Sequence, residues 1–154
     1  MVGFFFSLLY NIYMKNILLG VTGSISIYKS VELVRMLVKA NYSVKVIMTK
    51  CATEFIKPLL FETVSHNKVE TSNWTSNTET TMNHIDLCKW ADLLVIAPAS
   101  ANIIAKLANG ICDDLLSTTS ISMGENILIA PSMNKEMWHS KPNQRNYLQL
   151  KQDK

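Results

Sequence analysis

Four short apolar runs alternate with segments of helical periodicity along this chain, and each run ends in small, hydroxyl or amide residues. The runs are four predicted strands: Asn16–Val21, Val44–Met48, Leu93–Ala97 and Asn126–Ala130. Continuous apolar runs are typical of parallel strands that are buried on both faces. Strands that alternate with helices predict an α/β fold, with a three-layer doubly wound parallel sheet and right-handed crossovers.

The segments between these strands carry helix and loop signals. From Ser26 to Ala40 the charged residues recur at helical spacing opposite an apolar face, which predicts an amphipathic helix. Further helices are predicted in four places: Cys51–Leu60 with an interruption at Pro58, Ser100–Ala108, a short helix capped by Asp113 that runs through Thr119, and Asn143–Leu150. Between His66 and Asn83 the chain is polar and loses its periodicity, which predicts a long loop.

The composition limits the classes of protein that this chain fits. Its 154 residues, 48% of them hydrophobic, suffice for one buried core and predict one domain. The net charge of +3 is mild and the lysines are dispersed, so we expect no nucleic-acid partner. Cys51, Cys88 and Cys112 are odd in number and lack metal-ligand spacing, which predicts reduced thiols in a cytoplasmic protein and no metal site.

The first thirteen residues, Met1–Tyr13, form an apolar arm. The arm is too short to span a bilayer and lacks the basic start and the cleavage site of a signal peptide, so no membrane partner is expected. We interpret it as an artefact of an upstream start site or a poorly ordered arm, with a hydrophobic interface arm as the alternative. The domain proper is expected to cover residues 14–154.

Polar turns follow three of the predicted strands: Thr22-Gly23-Ser24-Ile25-Ser26, Pro98-Ala99-Ser100-Ala101-Asn102 and Pro131-Ser132-Met133-Asn134. The carboxyl ends of parallel strands meet at one edge of a sheet, so we expect these turns to form one crevice. Gly23 would allow close approach of a ligand, and the helix N-terminus after it would favour a phosphate. An ordinary serine N-cap is the alternative for any one turn.

The type of ligand follows from what the turns lack. They contain neither the Walker phosphate loop nor the G-x-G-x-x-G fingerprint of dinucleotide-binding proteins. The second strand ends in Thr49-Lys50-Cys51 instead of the acidic residue that would hold a ribose. A hydroxyl and a cation at this place favour a mononucleotide phosphate or a flavin over NAD.

Three motifs occur together in this chain: His84 with the downstream Trp90-Ala91-Asp92, the Pro98–Asn102 turn, and Pro-x-Met-Asn-x-x-Met-Trp at Pro131–Trp138. With them, the sequence from Lys15 to about Leu150 resembles the homo-oligomeric flavin-containing cysteine decarboxylases, most closely the phosphopantothenoylcysteine decarboxylases. The resemblance implies a Rossmann-like or flavodoxin-like flavoprotein fold. Residues 106–113 are also similar to the peptidyl-cysteine decarboxylases of lantibiotic synthesis.

The resemblance implies a cofactor, a reaction and site residues. The cofactor is FMN, and the reaction is the decarboxylation of 4'-phosphopantothenoylcysteine to 4'-phosphopantetheine in coenzyme A biosynthesis. His84 matches the catalytic histidine and Asn134 the ligand of the substrate carboxylate. The FMN-binding residues implied by the match are Gly23, Ser24, Ile25, Thr49, Lys50, Cys51, Ser100, Ala101, Asn102, Ile103, Ser132 and Met133. Such proteins are homotrimers or larger, with the flavin between subunits, so His84 would serve a site shared with a neighbour.

The implied chemistry explains the need for a flavin. Oxidation of the substrate thiol to a thioaldehyde creates a β-thiocarbonyl that accepts the electrons left by departing CO2, and the reduced flavin then returns a hydride to the enethiol. His84 would move the proton at thiol oxidation, and Asn134 would hold the carboxylate without adding a charge.

The chain departs from the family pattern at three points. Ile103 replaces the usual threonine, Ser132 replaces the usual alanine, and none of the twenty residues after Asn134 is the cysteine of the substrate-covering flap. We therefore expect flavin binding to be retained and full turnover to be impaired. A non-catalytic FMN-binding regulatory protein and a peptidyl-cysteine decarboxylase remain alternatives. A flavin prenyltransferase is disfavoured, because those proteins lack the His84 and Met-Asn combination.

Overall fold

The computed structural model describes residues 15–72 and 83–153, with only the backbone for Asn83. Its strands are β1 (Asn16–Val21), β2 (Ser43–Met48), β3 (Val69–Glu70), β4 (Leu93–Ala99) and β5 (Ile127–Pro131). Its helices are α1 (Ile27–Lys39), α2 (Lys50–Phe55), α3 (Pro58–Ser65), α4 (Asn83–Trp90), α5 (Ala101–Ala108), α6 (Leu115–Ser122), α7 (Lys135–His139) and α8 (Lys141–Gln152). The strands form one parallel sheet in the order β3-β2-β1-β4-β5. The predicted doubly wound parallel sheet is confirmed.

The sheet has a hydrophobic core on each face, because successive side chains of a strand point to opposite sides. Leu19 packs with Val34 of α1 and Phe61 of α3 on one face. Its neighbour Leu18 packs on the other face, in a core that includes Leu116 of α6. All five side chains are at most 1% exposed, so each stabilises the fold by roughly 1.5–3 kcal/mol.

The strand order explains where a crevice opens. The chain passes from β1 outward through β2 to β3, then returns to the other side of β1 as β4 and continues to β5. The order therefore reverses between β1 and β4, and helices diverge from the sheet at this point. Open α/β sheets bind their ligands outside the carboxyl ends of the strands at such a switch point.

Asp92 lies at the amino-terminal ends of the strands, opposite the ends at which the crevice opens. Its Oδ2 accepts hydrogen bonds from the backbone N–H groups of Lys15, at 2.8 Å, and Asn16, at 2.9 Å. This joins the start of β1 to the start of β4. The neighbouring Trp90 has its ring centroid 4.5 Å from the Lys45 ammonium. The Trp90-Ala91-Asp92 part of the motif thus serves the fold at the edge remote from the crevice.

Two differences from the sequence predictions lie between β2 and α4. Within the predicted loop from His66 to Asn83, Val69–Glu70 pairs with β2, so the strands predicted as third and fourth are the fourth and fifth. Pro58 begins α3 instead of interrupting one longer helix, since proline suits the first turn of a helix. Residues 73–82 and the Met1–Tyr13 arm lie outside the described residues.

The predicted cap at Asp113 is wrong, because Asp114 caps α6. Asp114 Oδ1 accepts from the backbone N–H of Ser117 at 2.8 Å, and Ser117 Oγ accepts from the backbone N–H of Asp114 at 3.2 Å. This reciprocal capping box needs the serine three residues after the cap, a spacing that Asp114 has and Asp113 lacks. The helix also runs to Ser122, beyond the predicted end at Thr119.

The helix α7 was not predicted, and it begins directly after Asn134. Of the helices that the structure describes, none has both the length and the apolar character needed to cross a bilayer.

Candidate flavin cleft

An open cleft of about 670 Å³ lies at the carboxyl ends of β1, β2 and β4. This volume is within the ~300–1,000 Å³ typical of small-molecule sites. Eight of the residues assigned to the cofactor by resemblance line it: Gly23, Thr49, Lys50, Cys51, Ser100, Ala101, Asn102 and Ile103. The sheet has therefore brought turns that are far apart in sequence to one place.

Thr22 holds two of these turns together. Its buried hydroxyl donates to the carbonyl oxygen of Pro98 at 2.7 Å and accepts from the backbone N–H of Ser100 at 3.0 Å. The turn after β1 is thereby fixed against the turn after β4. Sequence analysis did not assign Thr22 to the site, although it is the first residue after a buried strand.

Thr49 and Ser100 cap the helices that begin at the cleft. Thr49 Oγ1 accepts from the backbone N–H of Ala52 at 3.3 Å, and Ser100 Oγ accepts from that of Ile103 at 3.4 Å. A hydroxyl has one proton and two acceptor lone pairs, so each cap still has a proton to donate. These two hydroxyls therefore suit a ligand that carries acceptor oxygens, such as a phosphate.

Gly23 packs directly against Cys51 of α2. A Cβ added at Gly23 would overlap the Cys51 sulfur and lie 2.9 Å from its Cβ and 3.3 Å from its backbone carbonyl carbon. The close approach that requires glycine here is thus between the first turn and α2. The space that Gly23 leaves is therefore filled by Cys51 and not by a ligand.

A cluster of three serine hydroxyls joins the β1 turn to the β5 turn. Ser132 Oγ lies 2.6 Å from Ser26 Oγ and 3.0 Å from Ser24 Oγ, and the last two are 3.3 Å apart. The backbone N–H of Ser132 also donates to the carbonyl oxygen of Ala99 at 2.9 Å. The β5 turn therefore contacts the β1 and β4 turns through Ser132 but does not line the main cleft with them. Ile25, beside the cluster, is 80% exposed and does not line the cleft.

Ser132 and Met133 line a separate cavity of about 600 Å³ between β5 and the last two helices. Trp138 and Tyr147 form its aromatic wall, with ring centroids 5.2 Å apart in an edge-to-face arrangement. Met133 also packs on the adjacent hydrophobic core. The sequence-assigned cofactor residues therefore divide between the main cleft and this aromatic cavity.

Asn134 is the N-cap of α7. Its Oδ1 accepts from the backbone N–H of Glu136 at 2.8 Å, which leaves its side-chain amide N–H groups free to donate. Asn134 itself is exposed; in the sequence it follows Met133 of the aromatic cavity and precedes Met137 of the main cleft.

His84 is a half-buried residue at the start of α4 and does not line the main cleft. The first turn of a helix that leads into a parallel strand lies near the carboxyl edge of the sheet. The structure thus brings eight of the predicted residues together and leaves His84 outside that group.

Three charged residues of the cleft were missed by sequence analysis: Glu54, Lys106 and Asp114. Lys106 lies one helical turn after Asn102 and so shares its helix face, which is the signal that would have found it. Its Nζ lies 2.6 Å from Asp113 Oδ1 and 2.6 Å from Asp114 Oδ2.

Both pKa values in this cluster follow from competition between burial and pairing. Burial opposes the charge on Lys106, but its hydrogen bonds to Asp113 and Asp114 and their attraction outweigh it, and the pKa of Lys106 is raised. Burial likewise opposes the charge on Asp114. The hydrogen bonds from Lys106 and Ser117 prevail there, and the pKa of Asp114 is lowered. Both shifts favour the charged forms of Lys106 and Asp114.

The cysteines are free thiols. Burial raises the pKa of the Cys88 thiol, and a hydrogen bond with Ser122 offsets part of that rise. Within residues 15–72 and 83–153, no cluster of three or more histidine, cysteine or acidic side chains is suited to a metal ion.

The Flavoprotein family model matches residues 7–154. The chain belongs to the Flavoprotein family. It is 44% identical over 136 residues to the coenzyme A biosynthesis bifunctional protein CoaBC of Haemophilus influenzae, covering 88% of this chain and 34% of that protein. The CoaBC protein of Bacillus subtilis is 44% identical over 139 residues, covering 90% of this chain and 34% of that protein. The chain thus spans about a third of the length of these relatives.

Solved structures that are at least 30% identical to this chain have the same fold. The FMN-dependent cysteine decarboxylase SpaF superimposes with a TM-score of 0.83 and 34% identity, covering 90% of this chain and 79% of that chain. A PPC decarboxylase variant complexed with pantothenoylaminoethenethiol superimposes with a TM-score of 0.76 and 30% identity, covering 91% of this chain and 79% of that chain. The FMN-binding protein AtHal3 superimposes with a TM-score of 0.79 and 30% identity, covering 91% of this chain and 77% of that chain.

Proposed function

We propose that this chain binds FMN in the main cleft and decarboxylates 4'-phosphopantothenoylcysteine to 4'-phosphopantetheine. The observation that carries the proposal is the convergence of Gly23, the Thr49–Cys51 turn and the Ser100–Ile103 segment on one cleft. The 44% identity to CoaBC and the likeness to SpaF and PPC decarboxylase support this substrate class.

The residues of the cleft fit a mononucleotide flavin. The capping hydroxyls of Thr49 and Ser100 donate to phosphate oxygens, and Lys50 supplies a positive charge at the same rim. Met137, which is exposed, adds apolar surface for the remainder of the ligand. When bound, the flavin supplies the two-electron chemistry that makes loss of CO2 from a cysteine carboxylate feasible.

Asn134 and His84 act on the substrate in this proposal. The side-chain amide of Asn134 donates hydrogen bonds to the substrate carboxylate while its carbonyl oxygen caps α7. His84 exchanges the proton of the substrate thiol, because an imidazole has one nitrogen that can accept a proton and one that can donate it. Since His84 lies outside the main cleft of its own chain, we place it at the site of a neighbouring subunit in a homotrimer or larger assembly. The free cysteines accord with a cytoplasmic location.

The experiment combines binding and turnover. The purified protein is titrated with FMN and then incubated with 4'-phosphopantothenoylcysteine, and in parallel with a peptide ending in cysteine. We expect a flavin absorbance spectrum and release of 4'-phosphopantetheine, measured by mass spectrometry, with His84→Asn binding FMN but releasing no product. Bound FMN with neither substrate consumed would instead support a regulatory flavoprotein. Failure to bind FMN would refute the proposal.

A further inference from the structure

The main cleft has two lysines, and only one of them has an unpaired charge. The Lys106 ammonium is 2.6 Å from a carboxylate oxygen of each of Asp113 and Asp114, and its side chain is 16% exposed. Lys50 is exposed at the start of α2. Over the part of the chain that the structure describes, its side chain makes no ion pair or hydrogen bond. Lys50 is therefore the available cation of the cleft.

The paired lysine contributes little attraction for an anion. Two carboxylates surround one ammonium, so the Lys106 cluster has a formal net charge of one negative unit. Two of the three ammonium protons are also engaged. A phosphate dianion at this wall would meet net repulsion, which places the phosphate of a ligand at the Lys50 end of the cleft.

Glu54 is a negative charge close to that end. It lies one helical turn after Lys50 on α2, also lines the cleft and is exposed. Residues four apart on a helix share a face, yet the two side chains form no ion pair within 4.0 Å. Glu54 therefore does not neutralise the ammonium of Lys50 by pairing with it. Its carboxylate does repel an anion that binds beside Lys50.

We infer that Lys50 is the residue by which the cleft selects the phosphorylated flavin FMN over riboflavin, and that Glu54 limits this preference. The inference rests on the proposed flavin binding and goes beyond it by naming the source of specificity. Lys106 has a different role: it holds Asp114 and the loop after α5 in place through its two ion pairs. Its loss therefore weakens the binding of both flavins, and of FMN somewhat more, because the carboxylates of Asp113 and Asp114 then lack their counter-ion.

The test measures dissociation constants for FMN and for riboflavin by quenching of flavin fluorescence. The variants are Lys50→Met, Glu54→Gln and Lys106→Met, with Lys68→Met as the control because Lys68 is exposed and does not line the cleft. An exposed ion pair contributes up to ~1 kcal/mol, which corresponds to about a fivefold change in affinity. We expect Lys50→Met to raise the dissociation constant of FMN about fivefold and to leave that of riboflavin unchanged. This loss should shrink above physiological ionic strength, because salt screens exposed charges.

Glu54→Gln keeps the test meaningful even if Lys50→Met disturbs α2. It should lower the dissociation constant of FMN roughly twofold to fivefold and leave that of riboflavin unchanged. A folding defect does not produce such a gain in affinity. Equal effects of Lys50→Met on the two flavins, or no gain for FMN with Glu54→Gln, would overturn the inference while flavin binding stands. Wild-type protein that binds neither flavin would instead overturn the proposed function.

Discussion

Replacement of Thr22 by valine tests the link between the turns that form the cleft. Valine has nearly the same shape, so Thr22→Val removes the hydroxyl and little else. The change leaves two backbone groups without a partner: the carbonyl oxygen of Pro98, now bonded at 2.7 Å, and the N–H of Ser100, now bonded at 3.0 Å. Thr22 and Pro98 are buried, so water does not readily replace the lost hydroxyl.

The expected loss of stability follows from these two bonds. Each stranded buried group costs about 1–3 kcal/mol, and the extra methyl group of valine recovers about 1 kcal/mol by burial. We therefore expect the free energy of unfolding to fall by about 1–5 kcal/mol. A domain of this size is stable by roughly 5–15 kcal/mol, so the variant should still fold. Its FMN affinity should fall as well, because the turn that begins at Ser100 is no longer fixed.

The assay is urea unfolding followed by circular dichroism, together with FMN titration. Thr63→Val is the matched control: the Thr63 hydroxyl donates to the carbonyl oxygen of Leu59 at 2.8 Å on an exposed helix face. That change should alter stability by less than about 0.5 kcal/mol. If Thr22→Val were as stable as the control and bound FMN normally, the Thr22 hydroxyl would not hold the turns together.

Three further changes probe separate parts of the site. Gly23→Ala should lower FMN affinity and cost about 1–3 kcal/mol in urea unfolding, because the new methyl group displaces Cys51; adding Cys51→Ala should recover part of both losses. The lowered pKa of Asp114 stabilises the fold above the ordinary aspartate value of 3.8, and this contribution is lost as the pH falls through the lowered pKa. Asp114→Asn keeps the capping oxygen without the charge, so its unfolding free energy should fall less between pH 7 and pH 2, and identical pH profiles would contradict the assignment. Asn134→Asp keeps the α7 cap but repels a carboxylate, so the KM of the proposed substrate should rise with stability unchanged; an unaltered KM would exclude Asn134 as the carboxylate ligand.

The strongest sequence patterns predicted the central part of the fold closely. The β1 bounds agree with the continuous apolar run Asn16–Val21, and α1 differs from its predicted range by one residue at each end. Both patterns arise from burial in the two cores. Val69–Glu70 is too short to produce a pattern of its own and is a strand only through pairing with β2. Such pairing depends on the neighbouring strand and is not encoded locally.

The candidate site was predictable where the sheet alone fixes the position of a turn. Gly23, Thr49 and Ser100 directly follow or cap elements at the carboxyl edge, so their convergence follows from the topology. The Lys106 cluster was missed because its role depends on how α5 packs beside the loop before α6. The position of His84 depends on the chain between β3 and α4, for which no periodic pattern exists.

The three clustered hydroxyls of Ser24, Ser26 and Ser132 have a consequence for molecular recognition. Each hydroxyl rotates about its C–O bond, so the hydrogen bonds among them can run in either direction without moving a heavy atom. When these hydrogen bonds reverse, a serine hydroxyl that offered a proton to a ligand offers a lone pair instead. Where the turns after β1 and β5 meet, the protein therefore has a polar contact whose donors and acceptors can exchange, so that it can match either edge of a heterocycle that bears both donors and acceptors.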